Sequence, residues 1–229
     1  MTLSASLPIG LFDSGVGGLT VFKAVRDLLP RETLVYLGDT ARVPYGVKSK
    51  DTIVKYTLGA AEKLREQNIK ALIIACNTAT SAALPTLREY LGSIPVIGVI
   101  DPGAEAAVRV SENKKIAVIG TEATIRAKAY QKAIARISPG TRVVSRACTL
   151  FVPLAEEGWL SGEATEKICE KYLGDIFADA DAPDTLLLGC THFPLLIPAL
   201  RKVVGEKVKI VDSSKATALR ARDALEAAN

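Results

Sequence analysis

Apolar runs of strand length alternate with longer amphipathic stretches along the whole chain, the pattern of an α/β fold. The first run, residues 7–12, ends in Asp13-Ser14-Gly15-Val16-Gly17-Gly18 and passes into an amphipathic stretch that reaches about Leu29 and stops at Pro30. A second run over 33–37 leads through Gly38-Asp39-Thr40 into the loop Val43-Pro44-Tyr45-Gly46. A helix is predicted over 49–67, then a strand ending at Cys76, a helix to about Leu91 and a fourth strand over 95–100. The pattern then restarts. A strand over 115–119 precedes a helix to about Ile137, a shorter, more polar strand over 141–146, a proline-containing loop and a helix over 161–177. A strand ending at Cys190, its helix, a last strand over 208–211 and an alanine-rich helix over 216–228 complete the chain.

The two halves match in order. Ile9-Gly-Leu-Phe corresponds to Ile116-Ala-Val-Ile, Leu34-Val-Tyr-Leu to Arg142-Val-Val-Ser, the Cys76 strand to the Cys190 strand, and Pro95-Val-Ile-Gly to Val208-Lys-Ile-Val. Such self-similarity points to an internal duplication. Parallel α/β units carry their functional loops at the carboxyl ends of the strands. Two units facing one another would bring Cys76 and Cys190 to opposite walls of one cleft. The expected fold is α/β, with two pseudo-symmetric domains of mainly parallel sheets flanked by helices and the active site between them.

Composition narrows the class. With 229 residues, 48% of them hydrophobic and only 5% aromatic, the chain can bury a large core built from Ala, Val, Ile and Leu, as parallel sheets do. The net charge of +4 comes from acids and bases mixed along the chain. No basic block or aromatic-studded ribbon suggests nucleic acid, and a mild positive excess suits small anionic substrates. No apolar run approaches membrane-spanning length and no leader pattern is visible, so a cytoplasmic protein without a membrane partner is expected. The four cysteines then read as reduced thiols. With no Cys-x-x-Cys pair and a single histidine, no metal site is expected.

Cys76 and Cys190 each stand where a strand yields to a helix, and a helix N-terminus can lower a thiol pKa. Cys148 and Cys169 lack such settings and read as buried small hydrophobes. His192, two residues after Cys190, could exchange or orient protons. The glycine loop at 13–18 follows a strand and opens a helix, yet it fits neither common nucleotide-binding spacing. A tight turn is the simplest reading, although its amides could approach a small anion, and Asp13 would repel a phosphate there. Asp39, Glu156 and Asp212 have solvent-facing or capping roles as defaults. Thr78, Thr121, Thr124 and Thr191 suit helix starts, and the same hydroxyls could bind a carboxylate.

The ordered set Asp13-Ser-Gly-Val-Gly-Gly-Leu, Gly38-Asp-Thr with Pro44-Tyr-Gly, Ala75-Cys-Asn-Thr-Ala, Gly120-Thr-Glu-Ala-Thr, Val152-Pro-Leu-Ala-Glu and Leu188-Gly-Cys-Thr-His-Phe-Pro-Leu closely resembles the bacterial glutamate racemases, within the aspartate/glutamate racemase family. The resemblance runs from about Ile9 to Ser214. It implies interconversion of L- and D-glutamate without cofactor or metal, by two cysteines on opposite faces of the substrate α-carbon, supplying D-glutamate for peptidoglycan. By the same resemblance Cys76 acts on D-glutamate with Asp13 as helper, and Cys190 on L-glutamate with His192 and Glu156. Asp13, Ser14, Pro44, Tyr45, Gly46, Cys76, Asn77, Thr78, Thr121, Thr124, Cys190, Thr191 and His192 are the implied substrate-binding residues, and a homodimer is compatible.

The expected domains are residues 1–99 with 209–229, carrying Cys76, and 100–208, carrying Cys190. After Asp212-Ser213-Ser214 the chain has one helix, where members of the family generally continue through a further strand and helix. Two other readings stay open: racemisation of aspartate or another acidic amino acid, and a non-catalytic protein that binds an acidic ligand.

Overall fold

The computed structural model describes residues 6–228. Positions 1–5 and 229 of the expected first domain lie outside the described residues. The first half runs β1 (Ile9–Asp13), α1 (Leu19–Leu28), β2 (Leu34–Gly38), α2 (Lys50–Arg65), β3 (Ala71–Ile74), α3 (Asn77–Leu91) and β4 (Val96–Gly98). The second runs α4 (Ile100–Val110), β5 (Lys115–Gly120), α5 (Glu122–Arg126), α6 (Ala129–Ile137), β6 (Arg142–Ala147), α7 (Phe151–Glu156), α8 (Glu163–Phe177), β7 (Thr185–Gly189), α9 (Ile197–Val204) and β8 (Lys209–Val211). Helix α10 (Ser214–Ala228) follows.

The strands form two four-stranded sheets, ordered β2-β1-β3-β4 and β6-β5-β7-β8, with every pairing parallel. Each strand of the second sheet thus repeats the place of its counterpart in the first, as the duplication requires. Period-two alternation assigns the faces. Ile9, Leu11, Ala71 and Ile73 pack with Val21 and Val25 of α1 and with Ala218 and Ala221 of α10. Phe12, Leu72 and Ile74 point the other way, onto Ile53, Ala61 and Leu64 of α2 and Ala83 and Leu87 of α3. In the second sheet Ile116, Val118 and Leu187 meet α4 and α6, while Ala117, Ile119, Leu186 and Leu188 meet α7, α8 and α9. Each fully buried aliphatic side chain contributes about 1.5–3 kcal/mol. A slip of one residue would exchange the two faces, so the register is firmly set.

Four features depart from the sequence expectation. The fourth strand ends at Gly98, and α4 occupies a stretch for which no helix is predicted. Pro102 falls in its first turn, where the missing N–H has no intrahelical partner to lose. The proline-containing loop after β6 holds α7, with Pro153 likewise near its start. The helix predicted to Ile137 is broken at Lys128, whose φ of 52° is left-handed. Strand 209–211, expected with the first domain, pairs in parallel with β7 of the second sheet. That pairing satisfies the outer side of β7, and only α10 returns to the first half.

Candidate active site

Strand β1 delivers Asp13 to a fully buried position. The amide of Gly15 donates to Asp13 Oδ2 at 3.0 Å, and the amides of Gly18 and Ser14 also bond the carboxylate. The anion cradled by the glycine loop is therefore the protein's own Asp13, not an external phosphate. Gly18 is required sterically, since a Cβ there would stand 2.4 Å from Asp13 Cβ. From β2, Tyr36 donates its phenol to the Gly15 carbonyl at 2.8 Å and holds the loop in place.

Cys76 caps α3, its Sγ accepting from the Ala79 amide at 3.4 Å and lying 3.4 Å from Ser14 Oγ. Cys190 follows β7, with Sγ 3.9 Å from His192 Nδ1. The other ring nitrogen, Nε2, is 2.5 Å from Glu156 Oε1 at the end of α7. Both thiols line one narrow cavity between the halves. Its free volume of about 20 Å³ holds roughly one water. Ser14, Pro44, Tyr45, Gly46, Asn77 and Thr78 line it from the first half, and Thr121, Thr191 and His192 from the second. Wider surface grooves near Arg146 are lined by charged side chains, several of them paired, as Arg146 is with Asp175, and contain neither of the two cavity thiols.

Three expected residues stand one layer back. Asp13 Oδ1 accepts from Thr191 Oγ1 at 3.4 Å, across the halves. Thr124 Oγ1 lies 3.0 Å from Thr121 Oγ1 and 3.2 Å from Thr78 Oγ1, and Thr78 and Thr121 are themselves 2.8 Å apart, so three hydroxyls join the halves. Glu156 touches the cavity only through His192.

Burial, followed by the carboxylate of Asp13, pushes the Cys76 thiol up to about 11. The Ser14 hydroxyl and the amides of Ala79 and Ser14 oppose this and lose. Cys190 is pushed up by burial first, then by the negative charge of Cys76 and Asp13, against the amides of His192 and Phe193. The expectation of depressed thiol pKa values at these two strand ends is thus corrected: in the closed cleft, desolvation outweighs the helix-start amides. The thiols also disfavour each other's ionisation, so one thiolate beside one thiol is the pair's favoured charged state. Burial raises Asp13 as well, against the loop amides.

A model of Asp/Glu/hydantoin racemases matches residues 19–221. The chain belongs to that racemase family. Among curated racemases, it is 53% identical over 210 residues to the glutamate racemase of Geobacter metallireducens, covering 92% of this chain and 77% of that one. Of the solved racemases, glutamate racemase isoform RacE1 of Bacillus anthracis superposes with a TM-score of 0.93 at 39% identity, covering 98% of this chain and 83% of that one. Glutamate racemase of Francisella tularensis in complex with D-glutamate gives a TM-score of 0.90 at 38% identity, covering 97% and 82%.

The racemase site also recruits residues that sequence reasoning passed over. Val152 adds an apolar wall and lies in the Val152-Pro-Leu-Ala-Glu motif, which was its signal. Asp39, for which a capping or solvent-facing role is the default expectation, instead accepts the phenol of Tyr45 at 2.6 Å and pairs with Arg42 at 3.0 Å, so it orients a cavity wall. Tyr36 and Tyr130 sit in no motif, and nothing local marks them. Among the described residues, no cluster of three or more His, Cys, Asp or Glu could hold a metal ion, and no helix is long and apolar enough to cross a membrane.

Proposed function

We propose that this racemase-family chain interconverts L- and D-glutamate without a cofactor, using Cys76 and Cys190 as paired acid and base. The reading rests on one observation above all: two buried thiols, one from each half of a duplicated fold, line a single cavity. The D-glutamate complex of the Francisella tularensis relative supports the choice of substrate.

In the proposed reaction one thiolate removes the α-proton, and the electron pair passes into the adjacent carboxylate. The thiol on the far side then delivers its proton to the opposite face of the α-carbon. The thiolate ends as a thiol and the thiol as a thiolate, so the enzyme gains and loses one proton. A single base returning the same proton to the same face would regenerate the starting enantiomer. Cys76 takes the proton of D-glutamate, assisted by Asp13; Cys190 takes that of L-glutamate, assisted by His192, which Glu156 holds. The mutual repulsion of the two thiolates favours the one-base, one-acid state that inversion needs. Hydroxyl and amide groups line the cavity, with neither Lys nor Arg among them. Neutral donors of this kind can serve a substrate bound in two mirror-related poses. The cell-level role is supply of D-glutamate for peptidoglycan in the cytoplasm.

The test is incubation of reduced protein with L-glutamate in deuterated water, following optical rotation and α-deuterium. Racemisation with exchange is expected, while neither in folded protein would refute the proposal. Cys76→Ser and Cys190→Ser should each abolish racemisation, and full activity in either would refute the two-thiol assignment. Running L- and D-aspartate in parallel decides between glutamate and the shorter acid.

A further inference from the structure

Tyr130 lies on α6 in the second half, yet its phenol donates to Oδ1 of Asn77 in the first half at 2.6 Å. Both side chains are buried, and Asn77 follows Cys76 directly and lines the cavity. Two glycines leave a slot for the ring. A Cβ at Gly189 would come within 2.9 Å of ring carbon Cε2, and a Cβ at Gly103 within 3.2 Å of the phenol oxygen. Ser213, in the connection between β8 and α10, also hydrogen-bonds the phenol. The ring is thus wedged between α4, the end of β7 and the connection between β8 and α10. Burial raises the phenol's pKa, so the group stays protonated and remains a donor.

An asparagine amide has an acceptor at one end and two N–H donors at the other. The terminal torsion is broad and roughly two-fold, so an unheld amide can turn either end to the cavity. With Oδ1 bonded to Tyr130, Asn77 presents its N–H donors. We propose that Tyr130 is a positioning residue for racemisation, which acts through Asn77 to aim those donors at a substrate carboxylate beside Cys76. The identity of that substrate rests on the glutamate reading above. An amide turned the other way would set an oxygen against the carboxylate and weaken binding.

Tyr130→Phe keeps the ring in its slot and deletes only the hydroxyl. Its kcat/KM for either enantiomer of glutamate should fall on the order of tenfold, mainly through KM. In the Asn77→Ala background the same change should cause no further loss, because the hydroxyl acts through that amide. Wild-type constants in Tyr130→Phe, or losses that multiply in the double variant, would overturn the role. Circular dichroism and the thermal midpoint establish that each variant is folded. A crystal structure of the wild type with glutamate bound gives a reading free of variants: Asn77 Nδ2 should lie within hydrogen-bond distance of a substrate carboxylate, and an amide without that contact would overturn the role. The wild-type assay run alongside separates the two ideas. An inactive wild type counts against the glutamate reading, whereas an active wild type matched by Tyr130→Phe counts against Tyr130.

Discussion

Replacing Cys76 by serine isolates the cost of ionising one buried thiol. The ordinary thiol pKa is 9.0, and in the folded protein burial and Asp13 raise that of Cys76 to about 11. A folded-state pKa above the unfolded value means that the folded protein holds its proton longer. The stabilisation is fully present below pH 9 and is lost as the pH rises through 11. At pH 10 the unfolded chain has released most of this proton while the folded chain retains it, a difference on the order of 1 kcal/mol. Above pH 11 the loss approaches a few kcal/mol. The assay is urea unfolding of wild type and Cys76→Ser at pH 8, 9, 10 and 11, at constant ionic strength with reductant. Groups that do not interact with Cys76 cancel in the difference, so the wild type should weaken relative to the variant by about this much as the pH rises. Parallel curves would mean that the thiol titrates alike in both states and would refute the reasoning. A wild type that gained on the variant would mean that the helix-start amides prevail after all.

Further outcomes follow from the same geometry. Asp13→Asn removes the second cause of the raised Cys76 pKa, so the alkaline loss assigned to Cys76 should shrink in the same urea series; kcat from D-glutamate should fall about 10²–10⁴-fold. Glu156→Gln leaves His192 without its charged partner and should lower kcat from L-glutamate about tenfold with little change in KM, read from initial rates in each direction. Gly46→Ala places a Cβ 2.5 Å from Thr121 Cβ and should cost about 1–3 kcal/mol, visible as a lower thermal midpoint, with a raised KM from the displaced wall.

The strand ends carrying Cys76 and Cys190 were legible because a buried parallel strand writes an apolar run whose end is marked by the change to polar residues. The duplication was legible for the same reason, since each strand has a counterpart of similar length, whereas the order of strands within each sheet was not. Helix α4 escaped notice because Pro102 and Gly103 imitate a loop, although both are tolerated in its first turns. Pro153 concealed α7 in the same way. The partner of β8 is a long-range choice that no local pattern records. The amides around Asp13 depend on the backbone path of the loop, and the raised thiol pKa values depend on how completely the halves exclude water. Tyr130 meets Asn77 across 53 positions of sequence, a contact made by tertiary packing alone.

The chain passes between its halves twice, once between β4 and α4 and once between β8 and α10. Helix α10 then packs on α1, and its Arg220 reaches back to Glu105 of α4 at 2.6 Å. One covalent tether would let two bodies swivel in any direction, whereas two tethers leave a single easy rotation, about the line that joins them. Any opening that admitted an amino acid to so narrow a cavity would therefore turn chiefly about that one line, and the walls that carry Cys76 and Cys190 would separate and meet again along an arc.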